Sequence, residues 1–197
     1  MNRDVQTRCH GFFFITVSGE LVKGDADRFR DAISGADRIL VELSSPGGLL
    51  GEGLDIGGEI RGHHSVTIVA PGWECASSCA FAWLAGTPRV AARSATIMFH
   101  HPWDVRGGHD FDAPTNALLG AYLGSLGLKS DAIFFMTEKG KDEGNPLTEE
   151  TAQAYGIETV FTGEAAPLNR AVGHRKACPR RAATGLPLGP EGSLHMG

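Results

Sequence analysis

Apolar positions along the chain fall into short runs that alternate between two periods. Phe12 to Val17 is apolar and β-branched, and Gly11 to Gly19 predicts a strand ending near Ser18-Gly19-Glu20. Asp25 to Ser34 predicts a helix, with Phe29 and Ile33 four apart on one face. RILVEL at 38–43 predicts a second strand, placed centrally by its apolar run, and Ser44-Ser45-Pro46-Gly47-Gly48 breaks it sharply. Leu49 to Arg61 predicts a helix with Leu50, Leu54 and Ile60 on its apolar face, although Gly51, Gly53, Gly57 and Gly58 weaken its propensity. After Gly62-His63-His64, Ser65 to Ala70 predicts a third strand, and Pro71-Gly72 a turn.

The second half continues the alternation. Ser77 to Ala85 predicts a helix closed by Gly86. Arg89–Ala92 and Thr96–Phe99 predict two short strands, and 102–113 a loop containing Trp103, Gly107, Gly108 and Phe111. Thr115–Leu126 and Lys129–Lys139 predict helices, and Lys141–Asn145 is turn-like. Thr148-Glu149-Glu150-Thr151 starts a short helix ending near Tyr155, and Ile157–Phe161 predicts a last strand. This order predicts an α/β domain over 10–163 with a largely parallel core sheet flanked by helices. From 164 to 197 Ala, Pro, Gly and Arg dominate, as in HRKACPRR at 174–181, which predicts a disordered tail.

Composition narrows the partners. The 197 residues are 42% hydrophobic and 21% charged, which suits one domain with a sizeable core. A net charge of −5 gives no electrostatic case for nucleic acid. No apolar run reaches the roughly 18–20 residues that span a bilayer, so no membrane association is expected. Met1-Asn2-Arg3-Asp4 lacks the basic-then-apolar pattern of a signal peptide, which predicts a cytoplasmic protein; a true start lying upstream would make it an exported one. Four cysteines are too few for a disulfide framework. Cys75 and Cys79 read as small apolar side chains, because i,i+4 helical geometry is poor for a disulfide.

Two motifs carry candidate chemistry. SSPGG at 44–48 lies between a strand and a helix, where successive glycines allow a tight turn and close approach of main-chain amides to a ligand. WECASSCAFAWLAG at 73–86 sets two serines at a helix start. A serine there ordinarily caps the helix. It also gains as a nucleophile, because the oxygen of an attacked carbonyl would lie near free amides. Such a serine needs a base, and His100, at the end of the strand ATIMF, is the best candidate.

SPGG, ASSCAFAWLAG and IMFHHP together resemble the proteolytic subunit of the Clp protease and its relatives in the wider crotonase-like superfamily. The resemblance runs over roughly 12–161. The separation of Gly48 from Ser77 fits it without a gap, and the stretch from Ser77 to His100 is slightly short, at Gly86-Thr87-Pro88. YGIETV at 155–160 is similar to the family's closing strand entry. The resemblance implies a serine-type peptidase with Ser77, rather than Ser78, as nucleophile and His100 as base. It makes the amides of Gly48 and Ser78 the oxyanion hole. It implies peptide or unfolded-protein substrates, a homo-oligomer and an ATPase partner, although no docking surface for an ATPase is evident. The family's third member is an aspartate, and alignment on Leu147 and Tyr155-Gly156 puts Gly144 there. Asp142, Glu143 and Asn145 lie within two residues and are the candidates to orient His100.

Three other readings compete. A chain that kept the fold and lost the chemistry would serve as a binding or scaffold protein. Cys75, Cys79, His100 and His101 can be counted as zinc ligands, but structural zinc sites use closer cysteine pairs and adjacent histidines rarely both reach one ion. No metal or other cofactor is therefore expected. An acyl-CoA enzyme of the crotonase type would not depend on a helix-start serine followed by this histidine.

Overall fold

A computed structural model describes residues 7–9, 12–104, 109–110, 113–140 and 142–163, with side chains for 12–102, 114–140 and 142–163. In chain order the elements are β1 (Thr7–Cys9), β2 (Phe12–Ser18), α1 (Asp25–Ile33), β3 (Ile39–Ser44), α2 (Leu50–Gly62), β4 (Val66–Val69), β5 (Glu74–Ala76), α3 (Ser78–Trp83), β6 (Arg89–Ala92), β7 (Thr96–Phe99), β8 (Trp103–Asp104), β9 (His109–Asp110), α4 (Ala113–Ser125), α5 (Ser130–Thr137), β10 (Asn145–Pro146), α6 (Glu149–Tyr155) and β11 (Val160–Thr162).

The main sheet runs β1-β2-β3-β4-β6-β11. All its pairings are parallel except β1 with β2. Parallel neighbours need crossover connections, and α1 and α2 supply the first two. β3 is an interior strand, as its apolar run predicts, with Ile39, Leu40, Val41 and Leu43 buried. The expected α/β architecture with a largely parallel sheet is what forms. A second sheet sets β5 parallel to β7, with β10 antiparallel on the far side of β7.

Helix α3 is buried along its whole length, Ser78 to Trp83. A helix end without water must find partners for its orphan carbonyls within the protein. Three side chains provide them. Tyr122 Oη donates to the Phe81 carbonyl at 3.0 Å, Thr67 Oγ1 to that of Trp83 at 2.9 Å, and Arg89 Nε to that of Leu84 at 2.5 Å. Burial lowers the pKa of Arg89 and pushes that of Tyr122 up, which keeps the phenol a donor. The glycines of α2 are explained by the same packing. A Cβ at Gly53 would stand 2.7 Å from Ser78 Cβ, and one at Gly57 would run into Tyr122 Oη. Low helix propensity is thus offset by close approach of α2 to α3.

Several expectations change. Glu74–Ala76 is a strand that the sequence pattern did not reveal, and the region expected to be a loop pairs Trp103–Asp104 with His109–Asp110 as a short hairpin. Asn145–Pro146, expected within and after a turn, pairs with Phe99 and Met98. The tail expected over 164–197 lies outside the described residues. No helix among the described residues is long and apolar enough to cross a membrane.

Tyr122→Phe should leave the buried Phe81 carbonyl without this donor. Chemical denaturation should show a loss of about 1–3 kcal/mol.

Candidate active site

The chain leaves β5, reverses at Ser77 and enters α3 at Ser78. Ser77 sits at the N-cap position with φ 57° and ψ −128°, and its side chain makes no cap hydrogen bond. An ordinary N-cap serine has β-region dihedrals that turn its hydroxyl onto the first-turn amides. The positive φ of Ser77 prevents this, so the capping role expected of a helix-start serine is not the one it has. A non-glycine residue held in such a region costs of order 1–3 kcal/mol and persists only where its surroundings impose it. One such constraint is the amide of Ser77, which donates to the Met98 carbonyl at 2.9 Å.

The SSPGG turn lies against this reversal. Ser45 bridges Cys75, through Ser45 N to Glu74 O at 2.8 Å and Ala76 N to Ser45 O at 3.0 Å. Gly47 has φ 101°, and a Cβ there would lie 2.6 Å from Ser77 Cβ and 2.8 Å from the Ala76 carbonyl oxygen. No side chain fits between the two turns. On its other side the segment pairs with Leu21, whose amide donates to Gly47 O at 2.7 Å while its carbonyl accepts from Leu49 N at 2.8 Å. In this parallel bridge the Gly48 amide points away from Leu21. The Ser78 amide is the first of α3 and belongs to the turn that has no intrahelical acceptor. The Ser78 hydroxyl is buried and has no hydrogen-bond partner, so it is screened from solvent as a nucleophile would not be.

Strand register puts Ser77 and His100 just beyond the same end of the β5–β7 pair. β5 and β7 are parallel with Ala76 opposite Met98. Ser77 is one position beyond that pair and His100 two. His100 is half-buried, and its Nδ1 lies 2.7 Å from the carbonyl oxygen of His101. A carbonyl can only accept, so Nδ1 carries the proton and Nε2 of the neutral ring is left with its lone pair. His101 is itself anchored, its amide donating to Lys139 O at 2.9 Å.

The candidates for a third member sit beyond α5. Gly144 has φ 56°, and a Cβ there would lie 2.6 Å from Met98 Sδ, so a longer side chain would have to displace Met98. Glu143 is exposed and pairs with Lys139 Nζ at 3.1 Å. Asn145 stands opposite Phe99, but its Nδ2 donates to Phe135 O at 2.5 Å and to Glu138 Oε1 at 3.1 Å. Asp142 is exposed. The acceptor at His100 Nδ1 is thus main chain, a contact that no side-chain motif could reveal.

The cysteine reading is corrected. Cys75 and Cys79 form a disulfide, with Cα atoms 5.3 Å apart. The two do not share one helix: Cys75 lies in β5 and Cys79 in α3, and the reversal between them brings the side chains face to face. Two sulfurs bonded to each other are not thiolate ligands, which removes the zinc alternative.

Residues 28–119 match the family model of the Clp protease. No match was found among curated proteins. Among solved structures, a mutant of the 1510-N membrane-bound stomatin-specific protease aligns with a TM-score of 0.59 and 22% identity, covering 75% of this chain and 77% of that one. A second mutant of that protease, in complex with a substrate peptide, gives 0.59 and 23%, covering 75% and 73%. The ClpP protease catalytic domain from Plasmodium falciparum gives 0.59 and 22%, covering 78% and 87%. The likeness to these structures is one of fold: the chain has a ClpP-like fold, and the stretch that matches the Clp protease family model includes Gly47, Ser77 and His100.

Proposed function

We propose that the protein is a serine-type peptidase working through a Ser77–His100 dyad. The observation that carries this reading is the conformation of Ser77, a helix-start serine whose hydroxyl is withheld from the cap by a positive φ. The family match supports a peptidase. In the proposed reaction Ser77 Oγ attacks the carbonyl carbon of a peptide bond while His100 Nε2 takes the hydroxyl proton. The amides of Gly48 and Ser78 receive the negative charge that develops on the carbonyl oxygen. The imidazolium then gives its proton to the leaving amine, and a water molecule, activated by the same Nε2, releases the acyl group. The His101 carbonyl fixes the tautomer, as an aspartate would. Being neutral, it stabilises the imidazolium less than a carboxylate does. Substrates would be peptides or unfolded chains.

A second reading is favoured by that same neutral partner: a fold that binds peptides without cleaving them. A fluorophosphonate probe separates the two. Covalent labelling of the wild type and none of Ser77→Ala supports the peptidase, and an unlabelled wild type sinks it. His100→Ala should slow labelling by about 10²–10⁴-fold.

Gly47→Ala should cut the labelling rate by about 10²-fold, because its Cβ must push Ser77 out of place. Labelling at the wild-type rate would show that the two turns are not packed as described. Ring nitrogen NMR of His100 in its neutral form should show Nδ1 protonated and Nε2 bare, and the opposite tautomer would remove the His101 carbonyl from the mechanism.

A further inference from the structure

The disulfide encloses a very small piece of chain. Between Cys75 and Cys79 lie only Ala76, Ser77 and Ser78. These three residues contain the strand-to-helix reversal, the candidate nucleophile and one oxyanion-hole amide. The two ends are held differently. Cys75 is paired with Ile97 in β7 and bridged to Ser45, and Cys79 is in the first turn of α3. Both cysteines are 0% exposed. The Ser77 hydroxyl does nothing to keep its own backbone in place, since it makes no cap hydrogen bond. A covalent tie across the reversal adds to the main-chain hydrogen bond, from Ser77 N to Met98 O, that holds it.

We propose that Cys75 and Cys79 are positioning residues whose disulfide holds Ser77 in its strained conformation, so that the oxidised protein is the competent form. The effect on catalysis rests on the peptidase reading above, whereas the effect on the backbone does not. Reduction by a dithiol such as dithiothreitol breaks the S–S bond and forms two cysteine thiols. The reagent supplies two electrons and two protons and closes to its own cyclic disulfide. The reversal then loses its tie, and Ser77 relaxes toward ordinary N-cap dihedrals with its hydroxyl on the first-turn amides. A requirement for the oxidised pair favours a compartment that keeps disulfides, and so the exported alternative over the cytoplasmic one.

The test uses the full chain with Cys9→Ala and Cys178→Ala, so that thiol counts report on this pair alone. Fluorophosphonate labelling and amide hydrogen exchange are followed in the oxidised, reduced and reoxidised protein, and in Cys75→Ala/Cys79→Ala. Reduction should slow labelling about tenfold or more, and reoxidation should restore it. The Ser77 amide, bonded to Met98 O, should exchange at least tenfold faster after reduction, while Val41 in β3 keeps its protection. Equal loss of protection at Ser77 and Val41 would mean that the disulfide only stabilises the fold, and would overturn the proposal. Unchanged exchange at Ser77 would overturn it as well. An oxidised protein that shows no labelling, yet loses Ser77 protection selectively on reduction, would defeat the peptidase reading and leave the positioning role standing.

Discussion

Two main-chain turns meet at the site with no room for a side chain between them. One is the Pro46-Gly47-Gly48 turn after β3, and the other is the reversal at Ser77 after β5. The missing Cβ of Gly47 allows them to touch, and the pairing of Ser45 with Cys75 holds them in register. The rest of the site follows from that contact. It backs the serine with main chain in place of a mobile side chain, while the bridge to Leu21 on the other side sets the Gly48 amide facing away from Leu21.

The architecture was legible because hydrophobic periodicity switches cleanly between strand and helix across 12–104. Phe29 and Ile33 marked α1, and the apolar run at 38–43 marked an interior strand. The position of Ser77 at a helix start was legible for the same reason. What stayed hidden depended on pieces too short to carry a period. β5 has three residues and β10 two, and neither stands out from its flanks. Missing β5 had a further effect, since it made Cys75 and Cys79 look like two positions on one helix. The acceptor for His100 was hidden for another reason. It is a carbonyl group, and every residue has one.

The neutral partner of His100 distinguishes this centre from one with a buried carboxylate. The contact that is described at Nδ1 brings no charge of its own to the imidazole. The two acidic candidates, Asp142 and Glu143, are exposed, and Asn145 is turned toward α5. Its Nδ2 bonds there tie the β10 edge to the helix, which is a structural role for a residue first considered for an orienting one.

Helix α3 has six residues and no polar face. A helix that short does not persist alone in water, and its last carbonyls depend on Tyr122, Thr67 and Arg89, which come from α4, β4 and β6. The serine reversal therefore cannot form on a nascent or partly unfolded chain. It appears only when the sheet and the neighbouring helices have closed around α3. The geometry at Ser77 is in this way a product of tertiary closure, and local sequence alone does not impose it.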